Sequence, residues 1–130
     1  MPEANLNKES NVVNTGKDGI VIINALTDIP GGRTLDVSGL PASVKVLKAG
    51  HIIVKTTATG VHKPLGLTGS PLAYDSKDEG DEFVGVLKAS IPVSDPRAAI
   101  VTSGQVNAAA SPYPVTDTIK NGLPLIQFMY

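Results

Sequence analysis

The sequence predicts a mainly β fold, a partly open β-barrel or sandwich with one short helix and a flexible N-terminal arm. The chain of 130 residues contains 13 Gly and 10 Pro, residues that form turns and end helices. Between them lie short runs rich in Val and Ile, which favour strands over helices. Aromatic residues make up only 4% of the chain and Trp is absent, so Val, Ile, Leu and Ala have to form the core.

Residues 1–17 are predicted to form the arm, and residues 18–130 a single β domain. The arm is rich in Asn, Glu, Lys and Ser and contains one apolar pair, Val12 and Val13. It buries too little apolar surface to offset the entropy lost on ordering. Its start lacks the apolar core of a signal peptide, and no run approaches the roughly 20 apolar residues of a membrane span. We therefore expect a soluble chain made in the cytoplasm, with no membrane partner.

The first half of the domain is predicted to hold a buried strand and a hairpin. Residues 19–26 form a nearly continuous β-branched run, typical of a strand covered on both faces. Residues 28–32 then turn, and residues 33–37 form a short strand. In a hairpin over residues 50–65, the alternating pattern places Ile52 and Val54 on the core face, and His51 and Ile53 on the other.

The second half is predicted to hold a surface loop, two strong strands, the helix and a closing strand. The loop spans residues 66–82, the strands 83–89 and 97–107, the helix 114–121 and the closing strand 123–128. Gly85 and Gly104 lie inside the strong strands, where glycine weakens β structure unless a bulge or a close backbone contact requires it. Pro92 and Pro96 remove two donors between these strands, so the chain must leave the ladder there.

The sequence lacks the residue patterns of catalysis, so we expect no enzyme, no cofactor and no metal. It contains no Cys, no G-x-S-x-G around a Ser, no G-x-G-x-x-G and no P-loop. The two histidines, His51 and His62, are placed to approach each other across the hairpin, yet two His without a third ligand make a weak metal site. We expect both to be solvated or packing residues, dispensable for assembly. The acidic tract after Tyr74 fails the EF-hand pattern because Lys77 stands at its third position.

The charge distribution argues against a nucleic-acid partner and leaves two interpretations of the surface open. The net charge is −1, from 11 basic and 12 acidic side chains, and the aromatic residues do not alternate with basic ones. Residues 33–63 carry five basic side chains against Asp36, whereas residues 75–82 carry five acidic ones against Lys77. These are either two solvated loop faces or opposed patches that set the register between copies in an assembly.

Three segments occur in an order known from one protein family: KAGHIIVK at residues 48–55, EFVGVLK at residues 82–88, and a later strand with a central Ser103 and Gly104. In this order the chain resembles the small head-decoration proteins of tailed phages. Residues 16–40 resemble small head-fibre proteins of phages that infect gut anaerobes. The first resemblance covers roughly the last two-thirds of the chain, and its short apolar motifs indicate a fold better than a role.

The resemblance implies a β-tulip-like fold and a homotrimer that binds the major capsid protein on the outer surface of the virion. It implies an arm that orders on the capsid, so Val12 and Val13 would attach by strand addition, with Arg33, Lys45 and Lys48 as weaker electrostatic contacts. It also implies that the last long strand and the loop after it approach the threefold axis. The residues expected at this trimer interface are Asn107, Ala108, Ala109, Ala110, Tyr113 and Pro114.

A carbohydrate- or host-surface-binding β module is the alternative from another class of function. Such a module usually presents aromatic side chains to its ligand, because these combine a flat apolar body with a polar group. The chain has three Tyr, two Phe and no Trp. Few aromatic side chains are therefore left for that role.

Overall fold

The structure is a computed structural model that describes residues 15–130, and it confirms the mainly β prediction. Strands account for 40% of the described residues and helices for 11%, and the sheets do not close into a barrel. The strands are β1 (Ile22–Asp28), β2 (Arg33–Thr34), β3 (Val46–Leu47), β4 (Ile52–Thr56), β5 (His62–Pro64), β6 (Leu67–Thr68), β7 (Ala73–Tyr74), β8 (Asp81–Leu87), β9 (Ile91–Pro92), β10 (Arg97–Ala98), β11 (Ile100–Asn107) and β12 (Ile126–Met129). The longest of them, β1, β4, β8 and β11, determine the architecture.

Two short α-helices accompany the strands, α1 at Asp18–Val21 and α2 at Asp117–Gly122. The second is the predicted helix, but it starts three residues later than expected. The reason is the cap: the Thr116 hydroxyl accepts a hydrogen bond from the Ile119 amide at 3.4 Å, and Thr is a favoured N-cap residue. The helical turn α1 replaces the first residues of the strand predicted over 19–26, so residues 15–130 contain one more α-helix than expected.

The main sheet has the strand order β1-β11-β8-β4-β5, with β12 added beside β11. All neighbours are antiparallel except β12, which runs parallel to β11. On one side β11 pairs with β1. On its other side, the first residues of β11 pair with β8, where Ile100 lies opposite Leu87. The later residues of β11 pair with β12, where Gly104 lies opposite Ile126. The predicted hairpin is confirmed as β4 and β5, and the three most strongly predicted segments, β4, β8 and β11, are adjacent in the sheet.

Three two-stranded pairs complete the fold: β2 with β10, β3 with β9, and β6 with β7. The last pair lies inside residues 66–82, which were expected to be a loop throughout. Leu67 of β6 is buried and Tyr74 of β7 is partly buried, and the two residues are directly opposed. These apolar contacts hold the middle of the tract against the domain, so only its remainder is a surface loop.

The core has two parts, one on each side of the central strands. Ile52 and Val54 of β4 belong to one cluster with Val86, and Ile53 belongs to the other with Leu87. Successive residues of β4 alternate between the clusters because side chains along a strand point to opposite faces. The face that was expected to be the less buried one is therefore core as well, since the pairs β2–β10 and β3–β9 contribute residues to the second cluster.

The edge strand β1 contradicts the prediction of a strand covered on both faces. Ile22 and Ala25 pack against the first core cluster, whereas Ile23 is 42% exposed and Leu26 is 68% exposed. Within residues 15–130 no strand pairs with the outer side of β1. A continuous apolar run does not reveal that its strand lies at an edge, because the neighbours that would cover it are distant in sequence.

Gly85 and Gly104 satisfy the expectation that a close backbone contact requires them. A side-chain carbon placed on Gly85 would collide with the backbone carbonyl of Val101 in the neighbouring strand β11. One placed on Gly104 would collide with the backbone carbonyl of Asn24 in β1. β11 therefore approaches β8 and β1 so closely at these two positions that only the hydrogen of a glycine fits.

The two histidines do not meet across the hairpin. The register of β4 and β5 places His62 opposite Lys55, whereas His51 precedes β4 and its ring bonds to Leu65. His51 is only 1% exposed and His62 is partly buried. The register thus separates them, because antiparallel strands bring together residues equidistant from the turn.

Truncating Val54, Val86 or Ile100 to Ala is expected to lower the free energy of unfolding by about 1 to 4 kcal/mol. Each of these side chains is at most 1% exposed and lies in a central strand, so its loss leaves a cavity. Denaturant unfolding followed by circular dichroism measures the loss. Val61→Ala is the control, since Val61 is 42% exposed. Unchanged stability in all three variants would show that the strand phases are wrong.

Candidate functional site

The predicted subunit-contact segment, residues 107–114, begins with a tightly held turn that follows β11. The side-chain oxygen of Asn107 accepts hydrogen bonds from the amides of Ala109 at 3.1 Å and Ala110 at 3.3 Å. These bonds hold Ala108–Ala110 in one turn of 3₁₀-helix. The hydroxyl of Ser111 donates back to the Asn107 carbonyl at 3.3 Å. Small side chains on a fixed backbone permit close approach by another chain.

Tyr113, by contrast, packs into its own domain. Its ring lies edge-on to His51 and Tyr74, with ring centroids 5.8 Å and 5.3 Å apart. The rings of His51 and Tyr74 are 5.2 Å apart, and the Tyr74 hydroxyl accepts a hydrogen bond from the Ile52 amide at 3.2 Å. Tyr113 is therefore only partly available to another subunit, whereas Pro114 is exposed.

His51 is the most buried member of this aromatic cluster. Its Nε2 donates a hydrogen bond to the Leu65 carbonyl at 3.0 Å. Burial lowers the pKa of His51 to about 4, and it raises the pKa of the Tyr74 hydroxyl. The two shifts have the same cause, since the charged form of each group is disfavoured away from water. The sequence left open whether His51 is solvated or packed, and in the structure it is packed.

One cavity of about 420 Å³ brings together residues that were predicted to serve different contacts. Lys48, a predicted capsid contact, lines it together with Ala110 and Tyr113, which were predicted at the trimer interface. Lys17, the last residue of the predicted arm, lines it as well. The point where the arm joins the domain therefore lies beside Lys48.

Asp18 fixes this junction. Its carboxylate accepts hydrogen bonds from the Ser90 amide at 2.8 Å and from the Ser90 hydroxyl at 2.7 Å. The Ser90 hydroxyl accepts in turn from the Ala49 amide at 3.0 Å. Val12 and Val13, the predicted attachment pair, lie outside the described residues. Whatever path the arm takes, it leaves the domain from a position set by Asp18.

The other two predicted basic contacts lie elsewhere on the domain. The Arg33 guanidinium donates to the Gly32 carbonyl at 2.7 Å, in a cavity that Arg97 also lines. Lys45 lines a different cavity, beside Leu40. The structure therefore places Arg33, Lys45 and Lys48 in three separate cavities and does not unite them in one basic patch.

A further cavity, of about 230 Å³, is lined by four Asp side chains around Lys63. The Lys63 ammonium lies 2.9 Å from the Asp81 carboxylate and 3.9 Å from that of Asp78. Asp36 and Asp75 complete the acidic lining, and the hydrogen bond to Asp81 raises the pKa of Lys63. Within residues 15–130, no three or more His, Cys, Asp or Glu side chains are arranged to hold a metal ion.

The basic and acidic tracts of the sequence thus pair partly within one chain. In addition to the Lys63 contacts, the Lys55 ammonium lies 2.7 Å from the Glu82 carboxylate, because the two residues are opposite each other in β4 and β8. Asp81, assigned from sequence to a solvated loop, is only 7% exposed. These contacts reduce the charge left for opposed patches between copies.

An exposed apolar surface is the feature that sequence reasoning missed. Within residues 15–130, the exposed large apolar side chains are Ile20, Ile23, Leu26, Val61, Leu125 and Tyr130. All except Val61 lie in or next to β1 and β12, the strands on either side of β11. A signal was present: residues 19–27, 98–116 and 121–130 contain no Asp, Glu, Lys, Arg or His, and these segments include β1, β11 and β12 apart from Asp28.

No family model, curated protein or solved structure matches this chain. Among the residues that the structure describes, no helix is long and apolar enough to cross a membrane.

Proposed function

We propose that this chain is a phage capsid decoration protein, or the capsid-attached base of a head fibre, which binds the major capsid protein on the outer surface of the virion as a homotrimer. In this role it is a structural protein and not an enzyme. It stabilises the capsid or displays elements that contact the host.

One observation carries the proposal. The three segments in which the resemblance was found become β4, β8 and β11, and these are three adjacent strands of the main sheet. The small residues after β11 form a fixed, partly exposed turn. A sheet framework with a compact loop at one end suits a protein whose task is to contact other protein surfaces.

The arm provides the attachment in this proposal. Lys17 and Asp18 place its exit beside Lys48, so a positive charge stands next to the segment that docks. Arg33 and Lys45 lie in other cavities and contribute less. An arm that orders on binding loses entropy, so one arm binds weakly, while three arms on one trimer act together through their effective concentration.

The rival carbohydrate-binding function receives less support from the aromatic side chains. Tyr74 and Tyr113 pack against His51 and against each other, and Phe83 and Phe128 pack against the core. Tyr130 alone among the Tyr and Phe residues is largely exposed, at 86%. A single exposed ring offers little area for stacking against a sugar.

Deleting residues 1–17 is expected to abolish binding to capsids while the melting temperature stays nearly unchanged. The deletion removes Val12 and Val13 but keeps Asp18 and its bonds to Ser90. Co-sedimentation with undecorated capsids measures binding, and calorimetry measures stability. A Val12→Ser, Val13→Ser double variant is the companion, because it preserves the length of the arm. Decoration at wild-type occupancy by the truncated protein would assign attachment to the folded domain instead.

A further inference from the structure

We infer that copies of this chain contact one another through the surface that β1 and β12 form on either side of β11, here called the β1–β12 surface. Its exposed apolar residues are Ile20, Ile23, Leu26, Leu125 and Tyr130. The inference rests on the homotrimer of the proposed function and gives that trimer a larger contact than residues 107–114 alone. The partner is a second copy of the same chain.

The exposed apolar side chains are concentrated in and beside β1 and β12. Leu26 and Leu125 are 68% and 69% exposed, and both lie near Gly104: Ala25 pairs with Gly104 from β1, and the Leu125 carbonyl accepts from the Gly104 amide. Apart from Val61, every exposed large apolar side chain in residues 15–130 lies in β1 or within two residues of β1 or β12. Apolar side chains that gather in one place, instead of scattering singly, mark an interaction site.

β1 pairs with β11 in an irregular register. Ile22 pairs with Val106 and Asn24 with Gln105, so Ile23 has no partner, and a second shift leaves Leu26 unpaired in the same way. Bulges usually protect an edge strand from association. In β1, however, the residues omitted from the register are two large apolar ones, and the outer side of the strand is open within residues 15–130.

The absence of charge favours a second copy as the partner. Residues 19–27 and 121–130 contain no Asp, Glu, Lys, Arg or His, and depletion of charge is typical of the buried centre of an interface. In a threefold trimer the contact is heterologous, so one part of this surface meets a different part of the same surface on the next copy. Neither part carries a charge that the contact would leave unpaired. A charged partner would bury charges that nothing here can satisfy. Symmetric association of like chains is also the commonest form of oligomer.

The surface is also continuous with the segment already assigned to subunit contact. β11 runs between β1 and β12 and leads at Asn107 into the turn Ala108–Ala110. Residue 130 follows β12, whose Met129 pairs with Asn107. A copy that contacts the turn near the threefold axis therefore has the β1–β12 surface beside it.

Leu26→Glu and Leu125→Glu test this inference, and Val61→Glu is the control. Ile23→Glu provides a matched pair with the control, because Ile23 and Val61 are both 42% exposed. We expect the wild-type protein and Val61→Glu to be trimers in sedimentation velocity and native mass spectrometry. The three variants on the surface should associate at least about tenfold more weakly, because a buried carboxylate has no partner there. Circular dichroism confirms that each variant is folded.

Capsid co-sedimentation with the same proteins separates this inference from the proposed function. Trimers that persist at wild-type affinity in Leu26→Glu and Leu125→Glu overturn the inference, and so does a wild-type protein that is monomeric at every concentration. Variants that remain trimeric but lose capsid binding would assign the surface to the capsid protein, which overturns the inference and leaves the proposed function standing. Trimers that depend on Leu26 yet never bind capsids would support the inference and contradict the proposed function.

Discussion

Replacing Gly85 or Gly104 by Ala is expected to lower the free energy of unfolding by about 4 kcal/mol, at the upper end for a single substitution. The added methyl group meets a backbone carbonyl in each case, that of Val101 for Gly85 and that of Asn24 for Gly104. A backbone carbonyl cannot rotate away as a side chain can. The strands must separate locally, and the hydrogen bonds that join β11 to β8 or to β1 are weakened.

Gly80→Ala is the matched control for this prediction. A side-chain carbon on Gly80 meets nothing within 4 Å, so its stability should stay within about 0.5 kcal/mol of the wild type. Chemical denaturation of the three variants gives the comparison directly. If Gly85→Ala and Gly104→Ala unfold at the same denaturant concentration as Gly80→Ala, the close approach of the strands is not present in solution.

Lowering the pH from 6.5 to about 4 is expected to cost the folded protein about 3 kcal/mol through His51 alone. The pKa of His51 falls from 6.5 to about 4 on folding, so the unfolded chain takes up a proton in this range and the folded chain does not. The loss of stability begins as the pH falls through 6.5, the pKa of the unfolded chain, and it is complete once the pH is below the folded pKa of about 4. Its cause is the burial of the ring against Tyr74 and Tyr113.

His51→Gln should flatten this pH dependence, because glutamine keeps a hydrogen-bond donor for the Leu65 carbonyl but does not titrate. The free energy of unfolding, measured at intervals between pH 4 and pH 7, gives the slope. His62→Gln is the control: burial also lowers the pKa of His62, but that ring is partly exposed, so most of the slope should remain. An unchanged slope in His51→Gln would place His51 in contact with water.

The central strands were predictable from sequence because their signals are local. Runs of β-branched residues bounded by Gly and Pro indicated β4, β8 and β11, and the glycines inside two of them indicated close backbone contact. The pairing of β12 with β11 is parallel, and no periodicity within residues 123–128 specifies that partner. The edge position of β1 was unpredictable for the same reason, since it depends on which strands lie beside β1 in the sheet.

The candidate site was predictable only in part. The small residues of Ala108–Ala110 suggested close approach, and Asn107 proved to cap that turn. The inward packing of Tyr113 was not predictable, because its partners His51 and Tyr74 lie far away along the chain. The β1–β12 surface depends on bulges in β1, and nothing in an apolar run shows which of its residues a bulge will turn outward.

The bonds of Asp18 to Ser90 have a mechanical consequence. If a pull is applied to the arm, the load reaches Ser90 first and passes from its hydroxyl to the Ala49 amide. Ala49 is buried, and the Gly50 amide beside it bonds to the carbonyl of Leu87 in β8. Tension on a tethered chain is thereby borne by the centre of the main sheet, and β1 is shielded from being peeled off its edge.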